Sequence, residues 1–123
     1  MTLPLLLIAP ALLACSATDG DTLRCGVDGQ ERVRLIGIDA PELPGHCEGH
    51  RHCVSGDPWA SKEALARAVR GRWVRIERHG LDHYGRTLAF AFVGNRNLSC
   101  SQIQGGFAVY VARWDFAGQA GRC

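Results

Sequence analysis

The run Arg-Val-Arg-Leu-Ile-Gly-Ile-Asp-Ala-Pro-Glu, residues 32–42, constrains the fold more than any other stretch of this chain. Residues 31–38 alternate with a period of two, which indicates a β-strand. Because Pro41 has no backbone N–H for a strand ladder, the strand is expected to stop near Asp39. It therefore delivers two carboxylates, those of Asp39 and Glu42, into one loop.

The remaining patterns predict a mainly β fold with two helices. Asp19-Gly20 is a turn signal between two short extended segments, and Asp57-Pro58 is typical of a helix N-cap followed by proline at the first helical position. This order favours an α+β, mainly β, domain built as a small closed or partly closed barrel, although periodicity alone supports an α+β sandwich almost as well. Strands are predicted around residues 15–18, 22–27, 31–38, 73–78 and 87–93, helices at 57–70 and 97–104, and an extended segment at 107–111.

Length and charge leave the function open. At 123 residues the chain fits one domain, and its formal net charge of +2 is too mild to indicate nucleic-acid binding by itself. Lys62 is the only lysine, and arginine is the cation that grips phosphate bidentately. GC-rich coding produces the same excess of arginine, so each arginine must be judged by its position.

Six cysteines in so short a chain indicate an oxidising compartment. A zinc site built from Cys47, Cys53, His46, His50 and His52 is the competing use of two of them. Regular zinc-ligand spacing is absent, and the thiols of an exported protein would oxidise, so disulfides are preferred. Proximity along the chain favours Cys15 with Cys25, Cys47 with Cys53, and Cys100 with Cys123.

Residues 1–14 are uncharged and mostly apolar, and they are too short to span a bilayer as a stable helix. They are typical of a secretory signal, which predicts an export segment at 1–14, a domain at 15–123 and no transmembrane segment in the mature form. We expect a periplasmic or secreted protein. Residues 12–15 also fit a lipoprotein cleavage box with Cys15 lipidated, which gives a lipid-anchored envelope form but leaves Cys25 unpaired. A short apolar first strand that is never removed is the remaining alternative.

Two further fragments complement the 32–42 run: Asp-Gly-Asp-Thr at 19–22 and Asp-His-Tyr-Gly-Arg at 82–86. Together the three fragments supply carboxylates that can bind a hard metal ion, a further carboxylate that can activate water, and two guanidinium groups that can bind a phosphate. Each residue has a plainer explanation when taken alone, since turns favour aspartate and an arginine after a turn glycine can simply be solvated. Taken jointly, they indicate metal-assisted cleavage of a phosphodiester.

In content, order and approximate spacing, the three fragments resemble the thermonuclease family, the relatives of staphylococcal nuclease. The resemblance covers about residues 16–112. It implies a five-stranded barrel of the oligonucleotide-binding (OB-fold) type with helices, and calcium-dependent hydrolysis of DNA and RNA that leaves a 3′-phosphate. We expect low sequence specificity and a monomer with no obligatory protein partner.

The resemblance also implies a role for each matching residue. The metal ligands would be the side chains of Asp21 and Asp39 and the backbone carbonyl of Ala40, with Asp19 as an outer carboxylate. Glu42 would be the general base, Arg34 and Arg86 would bind the scissile phosphate, and Tyr84 would lie beside the phosphate end of the nucleotide.

Two positions depart from the family pattern. Ala40 stands where threonine is common, which removes a hydroxyl but keeps the carbonyl. The tyrosine expected near the base pocket has no clear counterpart, because Ala112 falls near that place with Tyr110 and Trp114 on either side. Two other functions stay open: a non-catalytic OB-fold module that binds single-stranded nucleic acid, and a small envelope protein that binds calcium for stability. The general base, both metal aspartates and both arginines together favour the enzyme.

Overall fold

The computed structural model describes residues 11–47, 52–116 and 118–123. These ranges form a mixed α+β fold made mostly of strands, as the sequence predicted, with 3₁₀ turns at Val27–Gly29, Ala112–Trp114 and Ala120–Arg122. The helices are α1 (Pro58–Val69) and α2 (Leu98–Gln104). The strands are β1 (Leu12–Leu13), β2 (Cys15–Ala17), β3 (Thr22–Cys25), β4 (Glu31–Leu35), β5 (Ile38–Asp39), β6 (Val74–Leu81), β7 (Thr87–Val93), β8 (Arg96–Asn97) and β9 (Val109–Tyr110).

The main sheet closes on itself. Its strands follow the order β1-β6-β7-β4-β3-β2, with β8 paired to β7. Strands β4 and β7 run parallel, and the other neighbours run antiparallel. Because only Ala14 separates β1 from β2, the two ends of the sheet belong to one stretch of chain, residues 12–17. The sheet is therefore a barrel of five strand paths, and closure of this kind removes exposed sheet edges.

Alternate residues of the barrel strands form the core. On β3 and β4, Leu23, Val33 and Leu35 point inward and are at most 1% exposed, while the residues between them lie on the outer face. Helix α1 adds Leu65 and Val69 to the same core. The inner face thus holds the barrel together, and the outer face of β3 and β4 is left for polar side chains.

Both helices begin at caps that are readable in the sequence. Asp57 accepts hydrogen bonds from the N–H groups of Trp59 and Ala60, and Asn97 accepts one from Ser99. Such caps satisfy N–H groups that have no partner within the helix. The two helices pack against each other, α1 against β2 and α2 against β7, so they support the barrel beside the Asp-Gly-Asp-Thr loop.

The predicted strand at 31–38 is wrong in its second half. Strand β4 ends at Leu35, the chain turns at Gly37, and Ile38–Asp39 forms β5, which pairs with β9 in a separate two-stranded sheet. Gly37 has a φ of +84°, and a Cβ there would lie 2.7 Å from the Cβ of Ala120. This turn depends on packing against a distant part of the chain, which local periodicity does not encode. It takes Asp39 out of the barrel sheet.

The three disulfides are the pairs that sequence proximity favoured. They join Cys15 to Cys25, Cys47 to Cys53 and Cys100 to Cys123. The first links directly paired residues of β2 and β3, and the third ties α2 to the C-terminal segment. Because Cys47 and Cys53 are bonded to each other, neither is a thiolate ligand, which contradicts the zinc alternative.

Residues 1–10 of the predicted export segment lie outside the described residues. Within its last part, Leu12 and Leu13 pair with Arg75 and Val74 as strand β1. No helix in the described part of the chain is long and apolar enough to cross a membrane.

Candidate active site

Arg34 is the buried centre of the candidate site. It lies on β4 opposite Thr22 of β3, next to the loop that carries Asp21. Its Nη2 nitrogen is 3.4 Å from Asp21 Oδ2 and 3.5 Å from Asp39 Oδ1. The two carboxylates predicted to bind metal therefore approach one guanidinium from separate parts of the chain.

The turn after β4 holds the other side of the Arg34 guanidinium. Nη1 donates to the carbonyls of Leu35 at 2.9 Å and Ile38 at 3.0 Å, and these carbonyls flank the turn at Gly37. The Trp114 ring lies 5.5 Å from Arg34 Cζ, within cation–π range. Since a buried guanidinium is costly without partners, this set of contacts fixes both the burial and the direction of the side chain.

Asp21 is held in its charged form. Its Oδ2 oxygen accepts the backbone N–H of Ala40 at 2.9 Å, and its Oδ1 oxygen accepts the Thr22 hydroxyl at 3.0 Å. Burial opposes the charge, but the Arg34 guanidinium and these hydrogen bonds outweigh it and lower the pKa of Asp21 below its ordinary value. The contact with Ala40 also ties the Asp21 loop directly to the residue that follows Asp39.

Asp19 has the opposite behaviour. Its Oδ1 oxygen accepts the backbone N–H of Asp21 at 3.0 Å. Burial and the neighbouring negative charge of Asp21 raise the pKa of Asp19 to about 7. The two carboxylates of the loop thus differ in charge: Asp21 is an anion beside Arg34, and Asp19 exchanges its proton with solvent near neutral pH.

The Asp19–Asp21 loop is fastened to both helices by buried polar side chains. Gln102 on α2 donates through Nε2 to the carbonyls of Gly20 at 2.7 Å and Ser61 at 3.0 Å, and it is 2% exposed. Ser61 on α1 donates to the carbonyl of Phe107 at 2.7 Å. A Cβ on Gly20 would lie 1.8 Å from Ser61 Oγ, so only glycine allows this approach. Sequence reasoning missed Gln102, because its burial and its role depend on the packing of α2 beside this loop.

The fragment at 82–86 forms a tight loop around one carboxylate. Asp82 Oδ1 accepts the backbone N–H groups of Tyr84 and Arg86, both at 2.9 Å, and Oδ2 accepts Arg86 Nε at 2.7 Å. Burial opposes the charge of Asp82, but these bonds lower its pKa below the ordinary value. Asp82 therefore aims the Arg86 guanidinium, which lies 5.4 Å from the ring of the exposed Tyr84.

A pocket of about 350 Å³ brings both predicted phosphate-binding arginines together. Arg34 and Arg86 line it, with Tyr84 at its side. Trp114 and Phe116 form a further aromatic wall. Trp114 therefore places an aromatic ring at this pocket, close in the sequence to Ala112, where the family resemblance implies a tyrosine.

The chain segment that carries Trp114 is fixed by Asp115. Its Oδ2 oxygen accepts the Tyr110 hydroxyl and the Gly121 N–H, both at 3.0 Å, and its Oδ1 oxygen accepts the Ala120 N–H at 3.3 Å. The disulfide at the C-terminus ties the same segment to α2. These contacts fold the segment back over the β4–β5 turn and hold the Trp114 ring at the pocket.

The remaining predicted residues follow β5. Ala40 is 2% exposed and donates its backbone N–H to Asp21. A threonine at position 40 would carry an additional methyl and hydroxyl group into space that its packed neighbours already occupy. Glu42 is half-buried and comes directly after Pro41. Glu42 does not line the pocket that contains the two arginines.

The donor chemistry of these residues fits a hard cation. Among the described residues, no group of three or more His, Cys, Asp or Glu side chains forms a metal site. Asp21 and Asp39 nevertheless both approach Arg34 Nη2, and calcium accepts a carbonyl and waters beside carboxylates in a loose geometry. The carboxylates of Asp21 and Asp39 are therefore two oxygen donors of the kind calcium uses.

The family model described as Staphylococcal nuclease homologue matches residues 32–120. The chain belongs to this family. The match covers Arg34, Asp39, Glu42, Tyr84 and Arg86, while the Asp-Gly-Asp-Thr loop lies before it.

Three curated proteins give the extent of the likeness. The chain is 35% identical over 116 residues to a protein of Haemophilus influenzae described as an uncharacterized endonuclease, which covers 85% of this chain and 60% of that protein. It is 34% identical over 92 residues to a thermonuclease of Staphylococcus intermedius, covering 73% and 53%, and 35% identical over 100 residues to protein ParB of Escherichia coli, covering 73% and 51%. The chain thus spans between about half and three-fifths of the length of these relatives.

Proposed function

We propose that this chain is a calcium-dependent nuclease that hydrolyses phosphodiester bonds of DNA, RNA or both with low sequence specificity. The position of Arg34 carries the proposal: its guanidinium contacts Asp21 and Asp39, and the residue also lines the pocket that contains Arg86. The residues proposed to bind metal and those proposed to bind phosphate would thereby be neighbours. Membership of the family, and relatives named as an endonuclease and a thermonuclease, support the reaction class.

In this proposal each residue of the chain has a separate task. Asp21, Asp39 and the Ala40 carbonyl would hold calcium, which supplies positive charge that offsets the charge of the phosphate. Arg34 and Arg86 bind the phosphate oxygens and stabilise the negative charge that grows on them in the transition state. Glu42 takes or orients the proton of the attacking water. Hydrolysis would leave a 3′-phosphate.

The aromatic residues would position the nucleotide. Tyr84 stands beside Arg86 and would contact the phosphate end, while Trp114 would stack on a base across the pocket. Such contacts read no sequence, because every base offers a π-face. Low sequence specificity follows from this arrangement of phosphate and stacking contacts.

A digestion assay tests the proposal. The purified protein should degrade DNA or RNA when calcium is added, and a chelator should stop the reaction. Arg86→Ala should lower the rate about 10²–10³-fold, while Arg72→Ala, which removes an exposed arginine from the turn after α1, should leave the rate unchanged. Binding of single-stranded nucleic acid without any calcium-dependent cleavage would instead support the non-catalytic module.

We also propose that the protein works in an oxidising compartment outside the cytoplasm. Three disulfides in 123 residues support this, because cytosolic thiols are kept reduced. Fractionation of producing cells should place the oxidised protein in the periplasm or medium. Its intact mass would show whether residues 1–14 are removed. The Cys15–Cys25 disulfide leaves Cys15 no thiol for a lipid, so a mass increase from lipid would contradict that pairing. Accumulation of reduced protein in the cytoplasm would contradict this part.

A further inference from the structure

Two arginines stand opposite each other on the outer face of the barrel, beside the candidate active site. The register of β3 and β4 pairs Arg24 with Arg32. Arg34 lies two residues beyond Arg32 on the same strand, and therefore on the same face. The residues between them, Leu23 and Val33, point into the core.

This placement is electrostatically unfavourable in the protein alone. Like charges that face each other directly across a strand pair destabilise the sheet. Among the described residues, Arg24 donates one hydrogen bond, to the carbonyl of Gly29 at 3.4 Å, and Arg32 donates to the carbonyl of Tyr84. Within the described ranges neither arginine forms an ion pair with a carboxylate.

The neighbouring arginines of the barrel behave differently. Arg78 forms two hydrogen bonds to Glu31 at 2.7 and 2.8 Å, and Arg86 pairs with Asp82. Both carboxylate oxygens of Glu31 therefore already accept hydrogen bonds, from Arg78 and Thr87. Arg24 is exposed and Arg32 is half-buried, and the Glu31 and Asp82 carboxylates beside them are engaged by other residues. In the part of the chain that the structure describes, the exposed Asp28 of the hairpin loop forms no ion pair with either arginine.

Arg32 connects this surface to the pocket. It binds the carbonyl of Tyr84, in the loop that also carries Arg86, and a Cβ on Gly85 would lie 3.4 Å from its Nη2. Arg24 lies one strand further from the pocket, at the ~4.8 Å spacing of paired strands. Arg34, Arg32 and Arg24 therefore form a row on one face of the sheet, which leads from the buried site to the exposed surface.

We propose that Arg32 and Arg24 form a subsite for backbone phosphates of a nucleic-acid strand that continues beyond the scissile phosphate. The inference rests on the proposed nuclease function and extends its substrate to a chain longer than a dinucleotide. Contacts of this kind are independent of sequence and add affinity and register. Mutual repulsion of the two cations is then relieved when phosphates lie between them.

The test compares Arg24→Gln and Arg32→Gln with the wild-type protein and with Arg72→Gln, which removes the same charge from an exposed turn. Binding of a labelled single-stranded DNA oligonucleotide is measured against salt concentration, in chelator, so that nothing is cleaved. Each subsite variant should reduce the slope of log K against log salt by about 0.7. Arg24→Lys should retain the slope because it keeps the point charge, and Arg72→Gln should match the wild type.

Two further readouts separate a subsite from a structural role. Arg24→Gln should have a thermal midpoint equal to or above that of the wild type, because it removes a like-charge pair. It should also cleave a dinucleotide with unchanged kcat/KM but lose efficiency on the long strand. An unchanged salt slope for Arg24→Gln, or an equal loss on both substrates, would overturn the subsite. A wild-type protein that cleaves nothing but shows the expected slope changes would reject the nuclease proposal alone.

Discussion

The Nη2 nitrogen of Arg34 lies 3.4 Å from the Oδ2 oxygen of Asp21, and the two side chains are only 9% and 7% exposed. The same nitrogen is 3.5 Å from Asp39, and Arg34 lines the pocket with Arg86. One buried cation therefore links the residues proposed to hold calcium to those proposed to hold phosphate. A change on either side of Arg34 is expected to affect the other.

Asp21→Asn tests the calcium side. The amide keeps the shape but removes the anion that faces Arg34 and one of the proposed ligand charges, so unfolding free energy should fall by about 1.5–3 kcal/mol. Calcium should raise the thermal midpoint of the wild-type protein, because a ligand of the folded state stabilises it, and this rise should be lost in the variant. Glu63→Gln, which breaks only the exposed pair with Arg70, should keep the full rise. A calcium-dependent rise that survives in Asp21→Asn would exclude Asp21 as a ligand.

Gln102→Ala tests the attachment of the Asp19–Asp21 loop to the helices. Removal of the amide leaves the buried carbonyls of Gly20 and Ser61 without their donor, at a cost of about 1–3 kcal/mol. The loop should also bind calcium more weakly, which titration calorimetry measures directly. Gln104→Ala is the matched control, since Gln104 is exposed on the same helix. Weakened stability with unchanged calcium affinity would make Gln102 a purely structural residue.

Trp114→Ala tests the aromatic wall of the pocket. Loss of a stacked base costs about 1–3 kcal/mol, so KM should rise about 5–150-fold with kcat largely retained. Asp115→Asn should produce a smaller change in the same direction, because it weakens the contacts that hold the Trp114 segment. Trp73→Ala removes an exposed tryptophan outside the pocket and should change neither parameter. A fall in kcat at constant KM would place Trp114 outside the binding step.

Glu31 gives the fold a dependence on acid pH. Two hydrogen bonds from Arg78 and one from Thr87 hold the pKa of Glu31 below its ordinary value. A depressed pKa contributes stability that is present above the pKa of the unfolded chain and is lost as pH falls through the folded value. Chemical unfolding of the wild type and of Glu31→Gln should therefore differ more at pH 7 than near pH 3. An equal difference at both pH values would mean that the ion pair contributes nothing to stability.

Local sequence signals account well for the elements that depend on neighbours. Asp57 and Asn97 cap their helices as expected, and the Cys15–Cys25 disulfide follows from the hairpin that its spacing indicates. The convergence of Asp21, Asp39 and Arg34 agrees with the order of the motifs. The caps and the disulfide depend on hydrogen bonds and pairings within one or two adjacent elements, whereas the convergence at Arg34 joins three separate parts of the chain and is indicated by the three motifs taken together.

The missed features depend on contacts between distant parts of the chain. The break of the 31–38 strand at Gly37 requires the close approach of Ala120, and nothing in the alternation of residues 31–38 records it. Trp114 reaches the pocket only because Asp115 binds backbone groups near the C-terminus. Gln102 acquires its role because α2 packs beside the loop of Gly20. Tertiary packing decides all three.

Single-turnover cleavage by Glu42→Gln is the most direct test of the proposed mechanism. The amide cannot accept a proton from water, so the rate in calcium should fall about 10²–10⁴-fold, while binding of the same DNA should stay within about twofold, since Glu42 is not proposed to bind phosphate. Glu63→Gln serves as the surface control and should cleave at the wild-type rate. An unchanged rate for Glu42→Gln, with folding and calcium binding intact, would contradict the assignment of the base and with it the account of how this site cleaves nucleic acid.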